Sequence, residues 1–133
     1  MILRRKRLPA ELEEAYAAFS ETVAALERGK AALAESVPST RLPGRPLAET
    51  LLEFEEALGE ADRCMPGWRV PPLEREWREA DAAIAECRRM SEELRLRAEM
   101  PEGFEALIGT IGALMAPLDV LEAAERRFRA LRV

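Results

Sequence analysis

Three stretches of this chain repeat apolar residues in alternating steps of four and three, and that spacing restricts the fold more than any other feature. The first runs Leu12, Tyr16, Phe19, Val23, Leu26, Lys30, Leu33 and Val37, with only Lys30 out of character. The second runs Leu47, Leu51, Phe54, Leu58, Ala61 and Met65. The third runs Leu73, Trp77, Ala80, Ile84, Cys87, Ser91, Leu94 and Ala98. Such steps collect side chains into one stripe along an α-helix. A seven-residue repeat in consecutive helices favours packing at shallow crossing angles. The expected fold is therefore all-α, an antiparallel up-down four-helix bundle. Composition agrees, because aromatics make up 5% of the chain and Ala, Leu, Glu and Arg dominate it.

Proline marks where the helices begin. A proline in the first turn loses nothing, since its missing N–H would have had no partner, and a carboxylate there faces the positive end of the helix dipole. Pro9, Pro46, Pro72 and Pro101 are each followed closely by an acid, at Glu11, Glu49, Glu74 and Glu102. Between the helices lie the loops PSTRLPGRP and PGWRVPP and the break MPEG. Residues 1–8 read as a basic N-terminal arm and 9–133 as one helical domain, long enough to bury a core without disulfides or metal.

The fourth segment, ALIGTIGALMAPL at residues 106–118, is apolar on nearly every side and carries no charge. It is expected to be the innermost helix, kinked or broken at Pro117, after which Leu118, Leu121, Phe128 and Leu131 resume an amphipathic stripe. Thirteen residues of helix reach about 20 Å, short of the roughly 30 Å hydrocarbon layer, so no membrane span is expected. Gly109 and Gly112 are unfavourable within a helix and suit close approach of another backbone or a ligand. In an up-down bundle Lys30 and Ser91 reach the same height, so Lys30, Ser91, Gly109 and Gly112 form a candidate niche in which Lys30 would hold an anionic group.

Chemistry is sparse. There is no histidine, which removes the commonest general base and transition-metal ligand, and no cofactor is expected. Cys64 lies beside a turn and Cys87 well inside the third helix, so they are expected to be reduced and too far apart to bridge. Acidic pairs at Glu53 and Glu56, and at Glu76 and Glu79, offer a magnesium-dependent hydrolase as an alternative. Their spacing loosely resembles the Glu-x-x-Glu and Glu-x-x-Asp of MazG-type pyrophosphohydrolases, but the final Asp is absent, and no family residue is carried over.

The net charge is −5, yet an up-down bundle would gather Arg4, Arg5, Lys6 and Arg7 with Arg126, Arg127, Arg129 and Arg132, and Arg69 near them. Such a basic pole could receive nucleic acid or an acidic partner. Trp68, in a turn crowded with helix breakers, would be a partner anchor if exposed and a plug for the end of the bundle if folded back. No apolar run follows the basic start, so a cytoplasmic location is expected, and arginine outnumbers lysine eighteen to two, a skew that fits a GC-rich bacterial genome. Long apolar seams without recognisable chemistry make a non-enzymatic interaction or assembly protein, self-associating or bound to a protein partner, the leading expectation.

Overall fold

The computed structural model describes residues 6–97 and 100–133, and among these there is no strand. Five α-helices follow in order: α1 (Ala10–Ala34), α2 (Leu47–Cys64), α3 (Glu74–Arg95), α4 (Phe104–Met115) and α5 (Leu121–Ala130). Short 3-10 turns at Met65–Trp68 and Pro71–Leu73 join α2 to α3, and another at Ala116–Val120 joins α4 to α5. Pro9 and Pro46 cap α1 and α2 as the sequence predicts, and Pro72 lies in the 3-10 turn that leads into α3, but Pro101 does not open the fourth helix, which starts three residues later behind Gly103 with Glu105 as its first-turn acid. Gly103, at φ 89°, caps α4 in a conformation that other residues rarely adopt.

The predicted stripes of α2 and α3 are buried along their described length; Ala98 lies outside the described residues. The stripe of α1 is buried as predicted at Leu12, Phe19, Leu26 and Leu33 and is rotated at the positions between them. Its buried line runs through Ala15, Thr22, Gly29 and Ser36, small residues seven apart, while Tyr16, Val23, Lys30 and Val37 are only half-buried. Small residues let α1 and α2 approach closely, and a Cβ added at Gly29 would stand 2.9 Å from the Ala57 Cβ. The buried hydroxyls on this line find partners across the pair, Ser36 with Thr50 and Thr22 with the Trp68 Nε1, which donates at 3.2 Å.

Each helix meets the next with sequence order reversed. On α1 and α2, Ser36 faces Thr50 and Arg28 pairs with Glu60 at 2.7 Å. Across α2 and α3, Ser91 and Arg95 reach Glu55, and the Trp77 Nε1 donates to the Met65 carbonyl at 2.7 Å. Across α3 and the C-terminal helices, the Cys87 Sγ donates to the Leu114 carbonyl at 3.1 Å, and the Arg127 Nε to the Pro72 carbonyl at 3.1 Å.

Pro117 interrupts the last rod as expected, and the local response is a tightening. Proline supplies no N–H to the Ala113 carbonyl, and the chain passes through the 3-10 turn before α5 resumes. The helical rod as a whole therefore runs from Phe104 to Ala130, 27 residues. At the end of the bundle where α5 finishes, Tyr16, Phe19, Trp68 and Phe128 pack together, with Phe19 edge-on to Trp68 at 5.0 Å between centroids. Beside this cluster Arg132 lies 5.9 Å from the Tyr16 ring, and Arg7 and Val133 exchange two backbone hydrogen bonds of 3.0 and 2.8 Å.

Candidate functional site

The segment expected to be innermost is the most exposed helix of the fold. Of α4 only Ile111 and Leu114 are buried, whereas Phe104 is 59% exposed and Ile108 43%. Burial follows the large residues Leu107, Ile111, Leu114, Leu118 and Leu121, whose spacing of four and three continues into Ala124 and Phe128 on α5. That stripe was hidden in the sequence because its opposite side is also uncharged. Gly109 and Gly112 fall on the opposite side, and a Cβ at either would meet nothing within 4 Å. Their expected packing partner is therefore absent among the described residues.

Helix geometry sorts the outer face of α4 into three strips. Gly109, Gly112 and Ala116 run down its middle, all exposed. Phe104 and Ile108 stand up on one flank. On the other flank, past Ala113, a groove of about 430 Å³ lies between α4 and α3, with Met90, Leu94, Met100, Ala113 and Leu114 in its walls together with Glu93, Arg97 and Thr110.

The four-residue niche does not assemble. Lys30 pairs with Glu27 on its own helix at 3.3 Å. Ser91 is fully buried, but its hydroxyl donates to Glu55 at 3.0 Å, and Arg95 grips the same carboxylate from both Nε and Nη2. Ser91 is thus part of a link between α2 and α3, and the glycines face away from the core. Cys87, beside this layer, is a buried free thiol; loss of solvent pushes it up to about 11, with Glu86 adding and Lys30 opposing.

Trp68 is not a partner anchor. It is fully buried, it donates to Thr22, and Thr22 in turn donates to the Ala18 carbonyl at 3.0 Å. The plug is admitted by Gly67, where any Cβ would stand 2.6 Å from the Ala18 Cβ. The sequence clue was the glycine just before the tryptophan, which lets the turn press against α1.

The basic pole is partly gathered, and two of its arginines, Arg69 and Arg129, are paired with acids. Arg4 and Arg5 lie outside the described residues. Lys6 and Arg7 are exposed, and the Arg7 backbone pairs with Val133, so the arm and the end of α5 do meet. Arg126 is exposed, Arg127 is bound to the Pro72 carbonyl, Arg129 lies 3.5 Å from Glu125, and the Arg132 guanidinium sits 5.9 Å from the Tyr16 ring. Arg69 lies over the Trp77 ring at 4.1 Å and bonds Glu74, whose carboxyl is held below the usual range by Arg69 and then Arg78. Exposed Glu11, Glu13 and Glu14 begin the neighbouring helix.

The acidic pairs do not converge. Glu53 is tied to Arg45 at 2.6 Å and Glu79 to Arg75 at 3.4 Å. Among the described residues no group of three or more acidic or cysteine side chains is placed to hold a metal ion. Both cysteines are free thiols, as expected.

Comparison of the chain with family models, with curated proteins and with solved structures gives no match. One expectation from length also changes. Because the rod passes through Pro117 without ending, Phe104–Ala130 is long and apolar enough to cross a bilayer by length and composition. What distinguishes it from an unpartnered span is its inner stripe, which packs against the rest of the core at Ile111, Leu114, Leu118 and Leu121.

Proposed function

We propose that the protein is a helical interaction or assembly protein, acting by binding, and that its contact surface is the outer face of α4. One observation supports this above all: the least charged helix of a chain that is 34% charged turns Phe104, Ile108, Gly109, Gly112, Ala113 and Ala116 to the outside. Contiguous exposed apolar patches on folded domains commonly mark binding sites. The two glycines sharpen the point. Each weakens the helix by about 1 kcal/mol relative to alanine, and no contact among the described residues explains it. A partner's backbone approaching the bare strip would.

A photo-crosslinking residue at Gly109, expressed in the native host, tests this against the same residue at Ala48, an exposed site on α2. Specific adducts are expected at position 109 alone, whatever the captured species. Equal capture at both sites, or none at either, refutes the reading.

A second reading, binding of nucleic acid or an acidic partner at the basic pole, is favoured by the pairing of Arg7 with Val133, which joins the arm to the arginines of α5. It requires association that weakens steeply with salt and with removal of Arg4 to Arg7. Absence of polyanion binding at low salt removes it.

A further inference from the structure

We propose that the occupant of the α4 face is a second copy of this chain, paired about a two-fold axis parallel to α4. In that pair the Phe104 and Ile108 ridge of each copy seats in the α3/α4 groove of the other. This rests on the reading that α4 carries the contact surface, and it adds the occupant and the geometry.

The arrangement follows from where the ridge and the groove stand. They lie on opposite flanks of the same strip of Gly109, Gly112 and Ala116. Two parallel helices related by a two-fold axis present opposite flanks to each other, so ridge meets groove twice. An antiparallel pair would set ridge on ridge and leave both grooves empty. Closed two-fold pairing of one self-complementary patch is the commonest form of oligomer, and glycines on the strip let the two backbones come close.

Charge separates this occupant from others. From Ala106 to Leu118 the helix has no charged residue, so nothing on the face calls for a partner of opposite sign. Glu105 begins the strip, one turn before Gly109, Glu102 and Asp119 border it, and Glu93 and Arg97 line the groove. A helix that lies on an anionic bilayer carries Lys and Arg along its polar edge, and α4 has neither. Area sets the strength. The strip from Phe104 to Ala116 is one face of a single short helix, about 18 Å long at about 1.5 Å per residue, so the contact belongs with small, transient interfaces. The pair is therefore weak and reversible, dissociating in the micromolar range or above. Parallel pairing also brings the two Glu105 side chains to the same end, so Glu105→Gln tightens the dimer.

Sedimentation equilibrium of the full chain from about 10 to about 500 µM, spanning the weak-affinity range, reads the result. A concentration-dependent dimer is expected, strengthened by salt and by Glu105→Gln. Loss of about tenfold or more in affinity is expected for Phe104→Ser with Ile108→Ser, and for Ala113→Arg, which fills the groove. The decisive experiment mixes these two variants at a concentration at which each alone is mostly monomeric. One intact ridge then meets one intact groove, and a one-to-one dimer returns. Circular dichroism confirms that both remain folded. Failure of the mixture to dimerise while the wild type does overturns the ridge-in-groove geometry. A wild type that stays monomeric throughout, or that stays monomeric and pellets with phosphatidylcholine or phosphatidylserine vesicles, overturns the second copy as occupant. Neither outcome erases adducts at position 109, so the broader reading is judged separately.

Discussion

Alanine placed at each helical glycine should move stability in opposite directions, and the structure fixes the sign at each. At Gly109 and Gly112 the new Cβ meets nothing within 4 Å and the backbone is ordinary helix, so alanine adds only its higher helix propensity, about 1 kcal/mol per site. For a chain of 133 residues, an unfolding entropy of about 2.1 cal/mol/K per residue makes 1 kcal/mol worth about 3–4 °C. The double variant Gly109→Ala with Gly112→Ala should therefore melt about 5–7 °C higher. At Gly29 the same change brings Cβ to 2.9 Å from the Ala57 Cβ and 3.1 Å from the Phe54 Cδ1, neither of which can swing aside. Overpacking of about 1–3 kcal/mol outweighs the propensity gain, and a net loss of about 1 kcal/mol lowers the melting point by about 3–4 °C. Thermal melts by far-ultraviolet circular dichroism, run dilute so that self-association adds nothing, measure both. A double variant that melts lower than wild type would show that α4 is covered within the monomer, and the exposed-face argument would fall. A stabilised Gly29→Ala would refute the close approach of α1 to α2.

Four further outcomes can be read from particular side chains. Trp68→Ala should destabilise by about 3–5 kcal/mol in urea unfolding because it empties the aromatic plug, whereas Trp68→Phe keeps a ring and loses chiefly the bond to Thr22; equal losses would contradict the plug. Half-buried Cys64 should react with a thiol reagent well before buried Cys87 in the native protein. The Cys87 thiol is held up to about 11 in the fold, so the unfolded chain loses that proton first; its stabilising share is whole below about pH 8.5 and falls by about 3 kcal/mol as pH rises to 11, a slope that Cys87→Ala should remove. Glu55→Ala strands the buried Ser91 hydroxyl and the Arg95 guanidinium and should cost about 2–4 kcal/mol in chemical denaturation, with a loss near zero counting against that α2–α3 link.

How far the sequence could be read depended on the contrast between the two sides of each helix. In α2 and α3 charged residues occupy the outer side, so the stripes from Leu47 to Met65 and from Leu73 to Leu94 were legible residue by residue. In α1 alanines on several sides blurred the contrast, and the true line through Ala15, Thr22, Gly29 and Ser36 was passed over because small and hydroxyl-bearing residues do not register as apolar. In α4 the contrast vanishes, and an uncharged outer side was taken for an interior one. Hydrophobicity states what a side chain would rather avoid, while the stripe from Leu107 through Leu121 states what the core has room to take. The niche failed for a related reason. Equal height along a bundle does not bring Ser91 and Gly109 together when Glu55, one helix over, already holds the serine.

The hydrogen-bonded clasp between Arg7 and Val133 has a practical corollary. With Arg7 and Val133 side by side, a short linker could join these two residues and new ends could be opened in the exposed loop between α1 and α2, giving a circular permutant with its core contacts unchanged. The rod from Phe104 to Ala130 spans 27 residues, about 40 Å at about 1.5 Å per residue, so a fluorophore or affinity handle fused after Val133 would ride far from the bare end of α4. Whatever docks on that helix can thus be followed with labelled protein without the label entering the contact.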